Sequence, residues 1–428
     1  MMPIRILRVA LLTAVVAGLT AAGTWSIRLA CADARFRTET VAATRQALSL
    51  TPGQAEYHVR LAQLLSEDDP VAAVAALRRA VSLNPHDAQA WIELGLRSEA
   101  TGDLPRAEAN LLRAAAESRL YLPRWTLMNY YFRRRDSERF WFWAKSAVPM
   151  IWGDPLPLFQ LCGRVTEAGD LIDRLRIRQP ELQAAYLFYL LDRGRPDLVG
   201  PSGRRLLQAH RATDVPLLLQ ACDRLLAARR PAEARSIWDG LIAARRIPAA
   251  GETGASPTLL YNGDFSVSPS DHGFDWRLPL PDGISAAREE HPDGLRLTFS
   301  GSQPESSEPL VEWVPVEERT LYELRFDYLT SGIPVSSGLV WRIADAAGGA
   351  VIASGDILAS EQPAARRLYF TTPPECRLMR LSLAYQRRPG TTRIAGFLIL
   401  RHVILGSGTL PAANQLPSGG PPRSRVMK

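Results

Sequence analysis

Few residues of this 428-residue chain stand at spacings that chemistry demands. The six histidines, His58, His86, His210, His272, His291 and His402, are dispersed. The nearest approach to an acid–base or metal-binding group is Asp271, His272 and Asp275, with Glu289, Glu290 and His291 as a second polar stretch. Such residues bind a metal or move a proton only if the fold gathers them at one point. Loops are polar in any case, so we expect no catalytic residue and no metal site at either place. No H-E-x-x-H, G-x-x-x-x-G-K-[ST] or G-x-S-x-G motif occurs, and no motif marks the carboxylate pair that glycoside hydrolysis requires. Cys31, Cys162, Cys222 and Cys376 stand singly, without a C-x-x-C pair, which leaves zinc ribbons and thioredoxin-type redox chemistry unsupported. The expectation is a protein that is not an enzyme and needs no cofactor.

What the sequence does supply is flat rings beside guanidinium groups, a combination suited to binding. The stretch "YLPRWTLMNYYFRRRDSERFWFWAK" holds more aromatics than one helical face can bury, so Tyr130, Tyr131, Arg133, Arg134, Arg135, Phe142 and Trp143 are candidates for docking a protein. Further along, Trp276, Trp313, Trp341 and Tyr385 are possible stacking platforms, with Arg342, Gln386 and Arg387 as polar neighbours. The formal charge of +7 comes almost wholly from arginine, with Lys145 and Lys428 the only lysines. Genome base composition produces such a bias without a binding surface, and we expect no nucleic-acid partner.

The elements that must position these residues follow from two periods. Tyr57, Trp91 and Trp125 recur at a spacing of 34, as do Ala73 and Ala107, Leu77 and Leu111, and Ala80 and Ala114. A 34-residue period is the register of a helix-turn-helix repeat. On Trp91, Leu94, Gly95, Ala107, Leu111 and Ala114, the stretch from about Gly53 to Ala116 resembles a tetratricopeptide repeat (TPR), and "LLQACDRLLAARRPAEARSIWDGL" from Leu218 returns to register. The resemblance implies a TPR-like solenoid over 36–250 that docks protein partners. "GETGASPT", residues 251–258, marks a linker.

Beyond it the period becomes two: Leu295, Leu297 and Phe299 alternate with polar residues, and so do Tyr322, Leu324, Phe326 and Tyr328. Short alternating strands separated by turns predict an antiparallel β-sandwich over 259–405. "NGDFS" from Asn262, the tryptophan at 276, "VPVEERTLYELRFDY" and "YFTTPPECRLMRLSLAYQR" resemble the jelly-roll of family 4 and 9 carbohydrate-binding modules. That resemblance implies a glycan held by stacked aromatics, with Trp276 and Tyr385 foremost. The family often also holds a calcium ion, but this chain has Ser266 and Arg401 where carboxylates would be expected. The tail 406–428, rich in glycine, proline and serine, has the composition of a disordered segment.

Val9 to Ile27 is an uncharged, mostly apolar run between Arg8 and Arg28. At about 1.5 Å per residue it crosses a hydrocarbon layer of about 30 Å. Residues 1–35 therefore act as a membrane anchor or, with Ala30-Cys31-Ala32 as an A-x-A match, as a cleaved signal peptide. The whole reads as multidomain, α then β: an inner-membrane-anchored envelope protein with its domains outside the cytoplasm. It would bind protein on the solenoid and a polysaccharide on the jelly-roll, in surface-polysaccharide assembly or export, with a pure protein scaffold as the alternative.

Overall fold

The computed structural model describes residues 2–65, 68–165, 171–249 and 258–408. The expected linker, apart from Thr258, and the tail from 409 onward lie outside the described residues. The chain is α then β, and divides into two compact units between Ile177 and Arg178.

The first unit is helical. Helix α1 (Met2–Phe36) is followed by α2 (Val41–Leu50), α3 (Ala55–Leu64), α4 (Pro70–Leu83), α5 (Ala88–Ala100), α6 (Leu104–Glu117), α7 (Tyr121–Arg134), α8 (Ser137–Ala147), α9 (Leu156–Val165) and α10 (Leu171–Leu175). The repeat is visible in how the helices begin, with caps spaced 34 and then 33 residues apart. Asp69 accepts from the Ala72 amide at the start of α4, Asp103 from Arg106 at α6, and Asp136 from Arg139 at α8. Each carboxylate satisfies an amide that the first helical turn leaves without a partner, and each such cap contributes about 1 kcal/mol.

The period is equally visible in packing. Ala73, Ala80, Ala107 and Ala114 are fully buried, and small side chains let paired helices approach closely. Gly95 meets Leu111 so tightly that a Cβ there would fall 2.6 Å from a leucine methyl. Trp91, half-buried, donates from its indole to the carbonyl of Pro85 at 2.9 Å and so ties the interhelical turn to the next helix.

Among the described residues, α1 is the one helix long and apolar enough to cross a membrane or serve as a signal sequence. Its last turns belong to the repeat. Ala32 is fully buried, the Phe36 ring stacks on Tyr57 with centroids 4.5 Å apart, and Arg28 donates to the carbonyl of Leu50 at 3.1 Å.

The second unit begins with two more helical hairpins, α11 (Pro180–Arg193) with α12 (Pro196–Leu207) and α13 (Val215–Ala227) with α14 (Pro231–Ala243). Among the described residues nine strands follow: β1 (Ile284–Glu290), β2 (Asp293–Ser300), β3 (Ser306–Pro315), β4 (Leu321–Ser331), β5 (Leu339–Asp345), β6 (Val351–Ser354), β7 (Ala364–Thr371), β8 (Leu378–Gln386) and β9 (Ala395–Ser407). They form two antiparallel sheets, ordered β1-β2-β9-β4-β7 and β3-β8-β5-β6. Period-two alternation sends Leu295, Leu297, Phe299, Tyr322, Leu324, Phe326 and Tyr328 into the layer between the sheets. There they meet Trp276, Trp341, Met379, Leu381, Leu383 and Tyr385.

The sandwich's first loop, residues 258–277, is fastened to α13 and α14. Asp223 on α13 accepts from the Gly273 amide at 2.8 Å and from Arg277 at 2.6 Å, and its second oxygen lies 2.6 Å from His272 Nδ1. Trp238 on α14 is 1% exposed and meets Tyr261 and Phe274 edge-to-face at 5.0 and 6.0 Å. Gly273, at φ +55°, lies flat against that indole, and a Cβ there would fall 2.2 Å from the ring.

Candidate binding surfaces

In the first unit the aromatic and arginine-rich stretch forms α7, α8 and the turn between them. A helix turns about 100° per residue, so Tyr130 and Tyr131 point inward, 3% and 2% exposed, whereas Arg133, Arg134 and Arg135 remain outside. The Tyr131 hydroxyl donates to Glu108 at 2.8 Å. Burial and that carboxylate push its pKa above the ordinary tyrosine range.

Arg133 grips Glu99 with two bonds, at 2.9 and 2.6 Å, across one repeat spacing. Arg139 takes Glu108 at 2.8 Å. Arg135 closes α7 in a left-handed conformation, and neither it nor Arg164, at the end of α9, has a polar partner among the described residues. Between them opens a cavity of about 510 Å³, with Tyr131, Phe132 and Phe140 as rings and Arg133, Arg135, Asp136 and Arg164 on its walls.

The expected docking residues are thus split. Tyr131, Arg133 and Arg135 line one cavity, and Tyr130 packs inside, its hydroxyl donating to the carbonyl of Leu104. Arg134 is exposed and outside the cavity lining. Phe142, 63% exposed, and Trp143, half-buried, pack edge-to-face 5.2 Å apart on α8 but do not line the cavity. Phe132 and Phe140, from the same aromatic stretch, also line the cavity, whereas Arg164 escaped the sequence reading because α9 is not consecutive with α7.

In the sandwich, three of the four expected platforms are core residues, which corrects the stacking roles given to them. Trp276 and Trp341 are 0% exposed and Tyr385 is 1% exposed. Trp276 stacks on Phe265 at 5.7 Å and leans on Trp341 at 6.1 Å, and its indole donates to the carbonyl of Asn262 at 3.0 Å. A ring covered on both faces has none left for a sugar. Parity explains the burial: Leu339, Trp341 and Ile343 share one side of β5, and Met379, Leu381, Leu383 and Tyr385 one side of β8, both facing inward.

Trp313 belongs to the other side. Half-buried on β3, it stands opposite Arg380 of β8. Arg342 of β5 stands opposite Ser382 of β8 on the same outward face. Glu308 ties this face together, accepting from Ser382 at 3.1 Å and Arg342 at 3.4 Å and pairing with Arg380. Gln386 is exposed at the end of β8, while Arg387 is committed to Glu305 and to the carbonyl of Thr391, both within 2.8 Å. The outward face of the other sheet is also charged and paired. Arg296 lies 4.4 Å over the Phe397 ring, and Glu289 holds Arg296 at 2.7 Å and Arg401 at 3.0 Å.

Asp271, His272 and Asp275 do not converge. Asp271 accepts from the Leu278 amide, His272 turns to Asp223, and Asp275 is buried beneath the Ser270 and Trp276 amides at 2.7 and 2.8 Å. Burial raises the Asp275 pKa against those bonds. Glu312 is buried on the same side, accepting from the Tyr261 amide at 3.0 Å, and its pKa is driven well above the ordinary glutamate value by loss of water. These carboxylates build the loop. Among the described residues no cluster of three or more His, Cys, Asp or Glu could hold a metal.

No family profile matches the chain, and no curated protein matches it. Similar solved structures include the enzymatically active domain of tailspike protein 4 of bacteriophage CBA120, 14% identical with a TM-score of 0.27, over 35% of this chain and 21% of that one. A CBM4 module is 11% identical with a TM-score of 0.27, over 35% of this chain and 99% of its own. YrrB, a TPR protein with an unusual peptide-binding site, is 15% identical with a TM-score of 0.23, over 48% of this chain and 94% of its own. The chain spans about a fifth of the tailspike domain and nearly all of the other two. These partial likenesses concern fold, and no functional argument rests on them.

Proposed function

We propose that this is a noncatalytic, membrane-tethered protein of the cell envelope. In this reading the helical repeat docks a protein partner and the sandwich holds a glycan, in assembly or export of a surface polysaccharide. The observation that carries the docking role is the open cavity of about 510 Å³ between α7, α8 and α9, lined by Arg133, Arg135, Arg164 and the half-buried Phe132. A stack of helical hairpins otherwise offers surface rather than chemistry. For the glycan, support comes from the outward face of β3, β8 and β5, where Trp313 lies beside Arg380, Arg342 and Glu308. A half-exposed ring next to guanidinium and carboxylate groups suits a pyranose face and its hydroxyl pairs.

The test has two arms. A phosphatase active only outside the cytoplasm, fused after Gly408, is expected to be active, and inactivity would place the domains in the cytoplasm and remove the glycan reading. Affinity electrophoresis through a panel of envelope polysaccharides is expected to retard the wild-type chain, with retardation lost in Trp313→Ala and retained in Phe397→Ala. Equal mobility of all three in every gel would leave a pure protein scaffold.

A further inference from the structure

We infer that the helical repeat touches the membrane at a second point, with Trp152, Leu120, Leu122 and Met150 set into the interfacial layer of the lipid surface from which α1 emerges. Membrane tethering, as proposed above, is the premise; the added element is a second place where the folded unit meets lipid. All four side chains are apolar and stand open, Trp152 at 89%, Leu120 at 72%, Leu122 at 47% and Met150 at 41% exposure. They share one end of the α7 and α8 pair. Arg124 on α7 donates to Ser146 on α8 at 3.0 Å, which sets the first turns of α7 beside the last turns of α8. Trp152 is held at that end by a well-formed turn. Val148, 2% exposed, anchors the 3-10 turn Val148–Met150, and its carbonyl takes the Ile151 amide at 3.3 Å. Gly153 then reverses the chain at φ +85°, and Asp154 accepts from the Leu156 amide at 2.9 Å where α9 begins.

The connectivity identifies which end this is. Successive helices run in opposite directions, so their turns alternate between the two ends of the stack. Arg28 on α1 donates to the carbonyl of Leu50, at the end of α2, at 3.1 Å. His86, ahead of α5, lies 2.6 Å from Glu117 at the end of α6. The turns after α2, α4, α6 and α8 therefore lie at one end, whereas the bond from Arg133 to Glu99, between the last turns of α7 and α5, marks the other. The apolar stretch Val9–Ile27 leaves the folded unit at the first of these ends, beside Arg28. Trp25, 53% exposed, closes that stretch at the position where tryptophan marks the boundary between hydrocarbon and headgroups. A bilayer spanned by Val9–Ile27 thus has its surface level with the turn after α2, and the turn that carries Trp152 belongs to the same end of the same compact unit. Packed helices stand about 8–10 Å apart, so three hairpins separate Trp152 from α1 by roughly 30 Å. A protruding ring has no walls of its own, and a folded partner would have to supply a whole pocket for it. The interfacial layer accepts it directly, the ring among the acyl chains and the indole N–H among headgroup oxygens, with leucine and methionine adding apolar area.

The full chain would be reconstituted in nanodiscs of phosphatidylcholine, either plain or brominated in the acyl chain close to the headgroup, and tryptophan emission compared for the wild type, Trp25→Phe and Trp152→Phe. Bromine quenches the rings that reach lipid depth. The wild type is expected to be quenched and each variant to lose part of that quenching, Trp25→Phe reporting the anchor and Trp152→Phe the second contact. Quenching that falls in Trp25→Phe but stays at the wild-type level in Trp152→Phe would overturn the second contact, release the Trp152 face to a protein partner and leave the anchor intact. No quenching in any of the three would remove both. A readout that needs no variant uses the wild-type chain in phosphatidylcholine carrying a photoactivated carbene source in its acyl chain. Label is expected within residues 9–27 and again within 148–155, and label confined to the first stretch overturns the proposal.

Discussion

The α7–α8 hairpin and the sandwich core are built from similar residues and put them to opposite use. Both are crowded with tyrosine, tryptophan and phenylalanine. In the hairpin, a period near 3.6 residues sweeps neighbouring side chains around the helix, so Tyr130 and Tyr131 are covered while Phe142 is 63% exposed. In the sheets a period of two allows only two directions, and Trp341, Tyr385 and Phe299 all take the inward one. An aromatic in the sequence is therefore a weak pointer to a site. A cavity that the fold opens between helices, as beside Arg135 and Arg164, is a better one.

The contrast is broken most forcefully at the tryptophans. Trp276→Ala would open a cavity between Phe265 and Trp341 and is expected to cost about 3–5 kcal/mol, whereas Phe142→Ala should change stability by less than about 0.5 kcal/mol. Chemical denaturation read by circular dichroism separates them, and a Trp276→Ala protein as stable as the wild type would mean that the ring is not core. Next comes the helix-to-sandwich clamp. Asp223→Ala leaves the Gly273 amide and Arg277 without their acceptor and is expected to cost about 1–3 kcal/mol. Asp223→Asn, which keeps one acceptor oxygen, should cost less, and equal losses would show that the bond to Gly273 does not matter.

The smallest effect depends on pH. Glu312 has its folded-state pKa raised well above the ordinary 4.5, chiefly by burial and also by Asp275, with Arg277 and Arg235 opposing. A carboxyl held that high contributes fully below its unfolded pKa and loses that contribution as pH climbs through the folded value. Stability should therefore decline from pH 4.5 upward by an amount that Glu312→Gln abolishes. Parallel stability curves for the two proteins would contradict the shift.

Local periodicity explains which features were legible. The aspartate caps at 69, 103 and 136 and the buried alanines recur along the chain, so the repeat is readable from spacing. The strands are likewise readable from alternation, and parity already sorts Trp341 with Leu339 and Ile343. Trp313 is harder, because the register of β3 against β8 shifts between Ser307 and Leu310, and an irregular strand hides which side is inward. Long-range partners leave no local trace. Nothing near Asp223 indicates His272, 49 positions further along the chain, and Trp238 looks like one more repeat residue until Tyr261 and Phe274 close over it.

Helix α1 runs unbroken from its apolar stretch into the turns that Tyr57 and Leu50 secure. Mechanically it is a mast rather than a leash. From Ile27 to Phe36 is about 14 Å of helix, so if the apolar stretch lies in a bilayer the first hairpin is held at a fixed short height and cannot swivel without breaking backbone hydrogen bonds. Tilt or rotation of the buried segment would then turn the repeat as a lever turns its load, and a captured partner would be kept within a protein's breadth of the lipid surface. The A-x-A tripeptide at residues 30–32 lies inside the same rod, with Ala32 fully covered. A protease that grips extended chain would have to unwind the mast before it could cut it loose.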